Sequence, residues 1–430
     1  YESVLPYFKR AEDFSGEGDD EYHGTGGPLS VQKSNRENDE LLDVFVEAGQ
    51  QAGIPFTKDF NGKRQEGVSR YEHTMRGSKR CSAARGYLHP ALGRKNLHTE
   101  TDVTVDRIEF DGKKAVGVTF IKGDKSVTVR ANKEVILSAG AINSPQILLR
   151  SGVGPADEIK PHGLEMVHEL AGVGQNLQDH LGVVSQFECV QPVTLHRSAV
   201  WWRTQLAGIQ YLLFGKGDAS FPPTAAGAFF KSSAEKAVCD MQIHYVSVAV
   251  PDVHGRADIP TSHGFSSIVY GCRPESRGHL TLKTANPDDA PAIYPNYLSA
   301  EQDIIDIRNG YRITRDIFLQ KAFDPYRGDQ MKPSADVNVD NDAELDGWIR
   351  ATGETLYHPV GTCKMGSDPM AVTNEHGQVH GVEGLRVVDA SLMPTLISGN
   401  TNAPTIMMAE KISDHIRGRS FLAPQQIAAE

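Results

Sequence analysis

The sequence predicts an α/β (α+β) fold of two large domains, and three observations carry that expectation. The chain has 430 residues, well above the ~150 of an average domain. Two apolar runs, Glu134 to Gly140 and Gly384 to Asp389, end in glycine or aspartate and lead into helical patterns, as parallel strands joined to helices do. Before the first of them, short stretches alternate apolar and polar residues and are separated by Asp-Gly and Gly-Asp turns, as antiparallel strands are.

Residues 1–95 are polar and turn-rich, with Gly-Thr-Gly-Gly-Pro at 24–28 and Asp-Phe-Asn-Gly at 59–62. One amphipathic helix lies among them. Leu41, Leu42, Phe45, Ala48 and Ala52 recur at helical spacing between Asp39 and Gly53, behind the N-cap candidate Asn38. From residue 96 the period changes to two, and 98–106, 107–110, 115–122 and 126–131 read as strands of a meander turning at Asp111-Gly112 and Gly123-Asp124. Glu134 to Gly140 then reads as a buried strand that ends in glycine and opens a helix at Ser144-Pro145, because proline suits a first helical turn. A glycine turn of this kind lets a ligand approach the backbone, and the free N–H groups of the helix start favour anionic groups. An ordinary strand-to-helix turn has the same sequence.

Residues 186–355 form a second region, with strands at 265–272 and 279–283 and helices at 200–213 and 301–319. The 200–213 helix carries Trp201, Trp202 and Tyr211 to Phe214. It reads as a core or pocket helix and not as a membrane-surface helix, because its polar face is poor in lysine and arginine. Residues 356–416 return to α/β character. Here 384–389 is a strand ending in Asp389, at the strand end where open α/β sheets bind ligands, and 400–409 leads into a helix.

Composition excludes several functions. The net charge is −11, and the only basic clusters are pairs such as Lys9-Arg10, which disfavours nucleic-acid binding. Cys81, Cys189, Cys239, Cys272 and Cys363 contain no C-x-x-C pair and fit neither a zinc site nor a disulfide framework, so no metal site is expected. There is no glycosylation triplet and no apolar run of membrane-spanning length, which points to a cytoplasmic protein, soluble or peripheral to a membrane. G-x-S-x-G, P-loop, H-E-x-x-H and G-x-G-x-x-G motifs do not occur between residues 1 and 430.

Two polar blocks remain as candidates. One is Tyr357-His358-Pro359-Val360-Gly361-Thr362-Cys363-Lys364-Met365-Gly366, and the other is Ser398-Gly399-Asn400-Thr401-Asn402-Ala403-Pro404-Thr405. A histidine among small residues can stand at a pocket wall and act as a base near neutral pH. With 16 histidines in the chain, the residues alone do not raise His358 above His180 or His244.

The run Gly140-Ala141-Ile142-Asn143-Ser144-Pro145-Gln146-Ile147-Leu148-Leu149-Arg150-Ser151-Gly152-Val153-Gly154 resembles the second signature of the glucose-methanol-choline (GMC) oxidoreductases, a family of flavoproteins. The resemblance extends through Leu5 to Glu12, Val173 to His180, the block around His358, Gly384 to Ser391 and Asn400 to Glu410, in the family's order. It implies a Rossmann-like FAD-binding domain and a substrate-binding domain with a large antiparallel sheet flanked by helices. We expect the first at 96–185 and 356–422 and the second, with flavin-covering loops, at 20–95 and 186–355. It implies oxidation of a primary alcohol, with His358 as the base and Asn400 bonding the substrate oxygen. Val105 matches a position at the adenine, Gly140 and Ala141 line the strand-to-helix turn, and Asp389 and Ala390 lie near the ribityl and pyrophosphate groups. Asn402, Ala403, Pro404 and Thr405 match the turn under the flavin pyrimidine.

The resemblance also implies partners: an alcohol, and an electron acceptor that is a quinone, another carrier or oxygen. The branch most resembled is that of the aliphatic-alcohol and choline dehydrogenases, so a dehydrogenase is expected over an oxidase. The family's opening strand and G-x-G-x-x-G helix have no counterpart here, so we expect the first βαβ unit to be missing, the N-terminal piece being a separate chain that completes the FAD site, clipped, or omitted. A flavin-dependent lyase or decarboxylase on the same fold is an alternative, as is a non-catalytic fragment that cannot bind FAD alone.

Overall fold

The computed structural model describes residues 1–18, 21–33, 39–198, 201–250 and 262–427. A seven-stranded antiparallel sheet dominates the middle of the chain. Its strands run in the order Arg327–Lys332, Leu181–Cys189, Gly264–Gly271, Met241–Val246, Thr224–Phe230 and Gly67–Arg70, with Glu354–Thr355 paired beside Leu181 and Gly182. Helices Glu40–Gln51, Glu301–Leu319 and Asp342–Thr352 pack on one face. Their Phe45, Ile307, Phe318 and Ile349 merge into one core with Met241, Ile243, Tyr245, Phe265 and Val269 of the sheet. Phe45 stacks on Tyr245 at 4.4 Å and Phe265 on Phe323 at 4.7 Å, and each such buried ring contributes about 1.5–3 kcal/mol.

The pleat decides what the other face carries. Side chains alternate across a strand, so with Met241, Ile243 and Tyr245 turned to the helices, Gln242 and His244 lie opposite. Tyr270 joins them from the neighbouring strand, one residue beyond the core residue Val269. The sheet therefore presents a buried polar face on the side away from its helices.

A second core joins the meander strands Thr104–Asp111 and Lys114–Lys122 to the parallel pair Val135–Leu137 and Leu385–Val387 and to helices Gly140–Arg150 and Asn402–Ile416, while the third meander strand, Lys125–Arg130, is exposed. Both parallel strands end together, and the N–H of Val388 donates to the carbonyl of Leu137 at 2.8 Å.

Several expectations are corrected. The first meander strand is one continuous Thr104–Asp111 element with register shifts, not two strands, and 98–103 is not in it. The helix after the glycine turn begins at Gly140, with Pro145 inside it. Pro145 cannot donate to the carbonyl of Ala141, and that carbonyl accepts from Thr362 Oγ1 at 2.6 Å instead. The strand before it is not buried on both faces: Val135 and Leu137 are buried, but Ile136 is 46% exposed, because the pleat turns it to the opposite face. Asn38 lies outside the described residues, and Asp39 precedes the helix Glu40–Gln51 without capping it by its side chain. The 200–213 helix, found at Trp201–Phe214, is not a core helix. None of its residues is buried, Trp201 and Leu212 are 77% and 81% exposed, and its packing partners are its flanking turns. Its polar face was the wrong criterion, since burial depends on a facing apolar surface, and among the described residues none buries this helix.

Candidate active site

Asp179 places the central histidine. Its Oδ1 accepts the backbone N–H of His358 at 2.8 Å and that of His180 at 2.9 Å. Its Oδ2 accepts the hydroxyls of Thr355 and of Tyr297, the latter at 2.5 Å. One carboxylate thus ties the segment before His358 to the start of the strand Leu181–Cys189. Tyr357, beside it, sits at φ +60°, a conformation costly for a bulky residue and common at functional sites. Replacing Asp179 by Asn would set an amide N–H₂ against donors, and we expect a loss of about 1–3 kcal/mol, read as a lowered Tm in thermal unfolding. An unchanged Tm would contradict this role.

The imidazole of His358 lies between two groups. Its Nδ1 is 2.9 Å from His180 Nδ1, and its Nε2 is 3.2 Å from the amide nitrogen of Asn400. His180 is fully buried, and its Nε2 lies 3.1 Å from the carbonyl of Cys272. Asn400 is exposed and stands just before the helix Asn402–Ile416. Behind Asn400 is the polar face of the sheet. Gln242 reaches Asn400 Oδ1 at 3.4 Å, Tyr71 OH at 3.2 Å and His244 Nε2 at 3.1 Å, and it accepts from Tyr270 OH. Burial holds the pKa of His358 below the ordinary histidine value, opposed by the charge of Asp179. Burial, then the neighbouring His358, takes His180 down to about 3, and the same causes take His244 down to about 3. All three rings are therefore neutral at pH 7.

The structure brings His358 and Asn400 together, and separately it brings together Gly140 and Asp389. Gly140 takes φ +83° with open space where a Cβ would stand, so the glycine serves the torsion and leaves the backbone bare. Its N–H donates to Asp389 Oδ2 at 2.9 Å. Ser144 Oγ donates to the same oxygen at 2.5 Å, and Ser391 N and Oγ donate to Oδ1 at 2.8 and 2.5 Å. The Asp389 carboxylate is saturated by its own chain and acts as a staple between the two strand ends. Ala141 is buried and Ala390 half-buried beside it. Val105 is half-buried, and its carbonyl accepts from Arg150 Nη2 at 2.9 Å. No hydrogen bond among the described residues joins it to the Asn400 turn.

Asn402 and Ala403 are exposed at the uncapped start of the last helix, with Pro404 and Thr405 half-buried behind them. The first N–H groups of a helix lack partners within it. A glycine turn without a side chain at paired parallel strand ends and a second open helix start beside the His358–Asn400 pair fit FAD, an extended, phosphate-bearing cofactor whose ring gains negative charge on reduction. Sequence reasoning missed His180, Gln242 and Asp179 as site residues. The alternation Met-Gln-Ile-His-Tyr-Val over 241–246 was the available signal for Gln242 and His244, and that strand had not been read.

Among the described residues no helix is long and apolar enough to cross a membrane, and no group of three or more His, Cys, Asp or Glu could hold a metal ion. Two family models described as GMC oxidoreductase match residues 1–182 and 274–409. The expectation that the family's N-terminal part is missing is not borne out by the first match, and the comparisons lend no support to a separate N-terminal chain. The chain is 45% identical over 430 residues to the oxygen-dependent choline dehydrogenase 1 of Chromohalobacter salexigens, covering 99% of this chain and 76% of the relative. It is 46% identical over 429 residues to the oxygen-dependent choline dehydrogenase of Proteus mirabilis, with the same coverage. Among solved structures, pyridoxine 4-oxidase from Mesorbium loti superposes with a TM-score of 0.85 at 27% identity, over 97% of this chain and 77% of that one. An FAD-dependent oxidoreductase from Chaetomium thermophilum shares the fold, with a TM-score of 0.86 at 23% identity over 96% and 80% of the two chains. The fold, the ordered motifs and these matches agree: the chain belongs to the GMC oxidoreductase family, FAD-dependent flavoproteins.

Proposed function

We propose that the protein oxidises a primary alcohol, choline foremost, to its aldehyde, with His358 as the base and Asn400 as the donor to the alcohol oxygen. The observation that carries this reading is the 3.2 Å meeting of Asn400 Nδ2 and His358 Nε2 at the exposed end of an otherwise buried polar chain. An alcohol oxygen inserted there accepts from the amide and gives its proton to the imidazole. FAD, when bound, supplies the acceptor for the hydride that leaves the carbinol carbon.

The chain's own groups prepare this proton transfer. The neutral amide of Asn400 favours the developing alkoxide without competing as a base. Asp179 holds His358 by its backbone, so the ring keeps its position while its protonation changes. For the cofactor, the Gly140–Ala141 turn, held in place by Asp389, lies with Ala390 at the phosphate and ribityl portion. The helix start from Asn402 to Thr405 serves the ring, and Val105 the adenine. Apart from Leu181 and Val183, which pack in the sheet core, and Leu280 and Leu282, which pack in the second core, the two cores support a division into a cofactor domain at 96–185 and 356–422 and a substrate domain at 20–95 and 186–355.

Choline is favoured because relatives named for it are 45–46% identical over 99% of the chain. Dehydrogenase chemistry, with a quinone, another carrier or oxygen as the electron acceptor, is favoured over oxidase chemistry by the resemblance to the alcohol and choline dehydrogenase branch; the relatives' names, which read oxygen-dependent choline dehydrogenase, favour no carrier over oxygen. The test is an alcohol screen with an artificial electron acceptor and parallel oxygen consumption. Choline should exceed its neutral tert-butyl isostere in kcat/KM, and turnover with the acceptor should exceed oxygen uptake. Equal activity on both alcohols would remove choline, and oxygen uptake matching turnover would make the protein an oxidase.

The pH dependence has a definite sign. Protonated His358 cannot act as a base, and its pKa lies below the ordinary histidine value. Activity should be flat above neutrality and fall as the pH drops through a value below about 6.5. An acid limb centred well above pH 7 would contradict the assignment.

A further inference from the structure

We propose that His180 is a positioning residue that locks His358 in the tautomer protonated at Nδ1, leaving Nε2 bare to take the substrate's proton. This deepens the reading above and rests on His358 as the base.

Two chains of hydrogen bonds, each anchored on a backbone carbonyl, lead to this protonation state independently. A carbonyl only accepts, so the Cys272 carbonyl at 3.1 Å requires the proton of His180 on Nε2. His180 is fully buried and neutral, so its Nδ1 is then an acceptor, and the His358 Nδ1 at 2.9 Å must be the donor. A neutral imidazole has one N–H, which leaves His358 Nε2 without a proton.

The second chain starts at the Ile243 carbonyl. It takes the Tyr71 hydroxyl proton at 2.6 Å, so the Tyr71 oxygen accepts from the amide nitrogen of Gln242 at 3.2 Å. Tyr270 OH fixes the other end of that amide by donating to Gln242 Oε1. Gln242 thus presents its nitrogen to Asn400 Oδ1 at 3.4 Å, and Asn400 turns its own nitrogen to His358 Nε2 at 3.2 Å. Nε2 is again the acceptor. Ring and amide orientations are fixed here by the network as a whole, and both ends of the network give the same answer.

The groups facing this pair are few. His180 lies against Tyr270, with ring centroids 5.1 Å apart, and against His358. His244 acts on His180, and His358 on His244, at longer range, and Asp179 meets His180 and His358 through their backbone N–H groups. The Asp179 carboxylate is occupied by two N–H and two hydroxyl donors, so it does not reach the ring of His358 as a classical carboxylate partner. A buried neutral histidine fills that role instead. It orients the base without adding a negative charge that would raise its pKa.

The test reads the tautomer directly. Ring-¹⁵N-histidine protein, with and without FAD, is studied by long-range ¹H–¹⁵N NMR near pH 8, the His358 signals being assigned by their loss in His358→Gln. We expect a protonated Nδ1 and an unprotonated Nε2 in the wild type. His180→Phe keeps the ring volume but offers no acceptor, and should shift His358 towards the Nε2-protonated form. His180→Asn, whose carbonyl can stand where Nδ1 stood, should restore the wild-type pattern. Flavin reduction by alcohol should fall about 10- to 100-fold in the Phe variant and recover in the Asn variant.

A wild-type His358 protonated at Nε2, or a tautomer unchanged in His180→Phe, overturns the proposal. If His180→Phe does not fold, the wild-type and His180→Asn spectra still decide it. The nitrogen shifts are read without alcohol. A failed base assignment, seen as undiminished reduction in His358→Ala, is therefore told apart from a failed tautomer assignment.

Discussion

His358→Ala should lower the rate of flavin reduction by alcohol about 10²- to 10⁴-fold, the range a general base supplies. FAD content should change little, because the side chain of His358 meets His180 and Asn400 and none of the groups at the Gly140–Asp389 turn. The folded state should lose only about 1–2 kcal/mol, since the main loss is one hydrogen bond to the buried His180. The acid limb of the pH profile should vanish with the side chain, because the group that titrates is gone. Anaerobic stopped-flow measures the rate, and the flavin-to-protein absorbance ratio checks the loading. An unchanged reduction rate with a good alcohol would remove His358 from the base role.

Asn400→Ala should lower the same rate about 10²- to 10³-fold, as removal of one donor to a developing oxyanion does, or about 2.7–4 kcal/mol of barrier. Asn400→Asp should be worse than Asn400→Ala. A carboxylate there places a negative charge beside the forming alkoxide and cannot donate, and it pulls the pKa of His358 upward. The acid limb of Asn400→Asp should therefore move to higher pH, which a loss of packing would not produce. Ala and Asp variants of equal rate and equal pH profile would show that the amide contributes shape and not charge stabilisation.

Much of this was legible in the sequence. The helix at 301–319 was read to its ends, because its apolar residues recur at helical spacing without proline or glycine breaks at either terminus. The Asp111-Gly112 and Gly123-Asp124 turns were read because each needs a glycine at positive φ, and both glycines sit at +57°. The Gly140 turn was visible for the same reason.

What was not legible depends on contacts far apart in the chain. Pro145 inside a helix is tolerated because Thr362, more than two hundred residues away, satisfies the carbonyl it leaves free. His180 and His358 are 178 residues apart, and nothing local distinguishes either from the other histidines. Gln242 carries no motif, and only the pleat of a strand, seen with its neighbours, turns it to the site. The 201–214 helix shows the opposite failure, since a polar face poor in lysine and arginine suggested burial that no surface among the described residues provides.

The central claim is that this chain, loaded with FAD, takes a proton and a hydride from a primary alcohol at the His358–Asn400 pair. Its most direct test is a single anaerobic turnover of the loaded protein with choline, following the flavin absorbance near about 450 nm and the aldehyde formed. The account predicts bleaching with one equivalent of aldehyde per flavin, abolished on the same timescale by His358→Ala. A flavin that stays oxidised with choline and with every primary alcohol tried would contradict it.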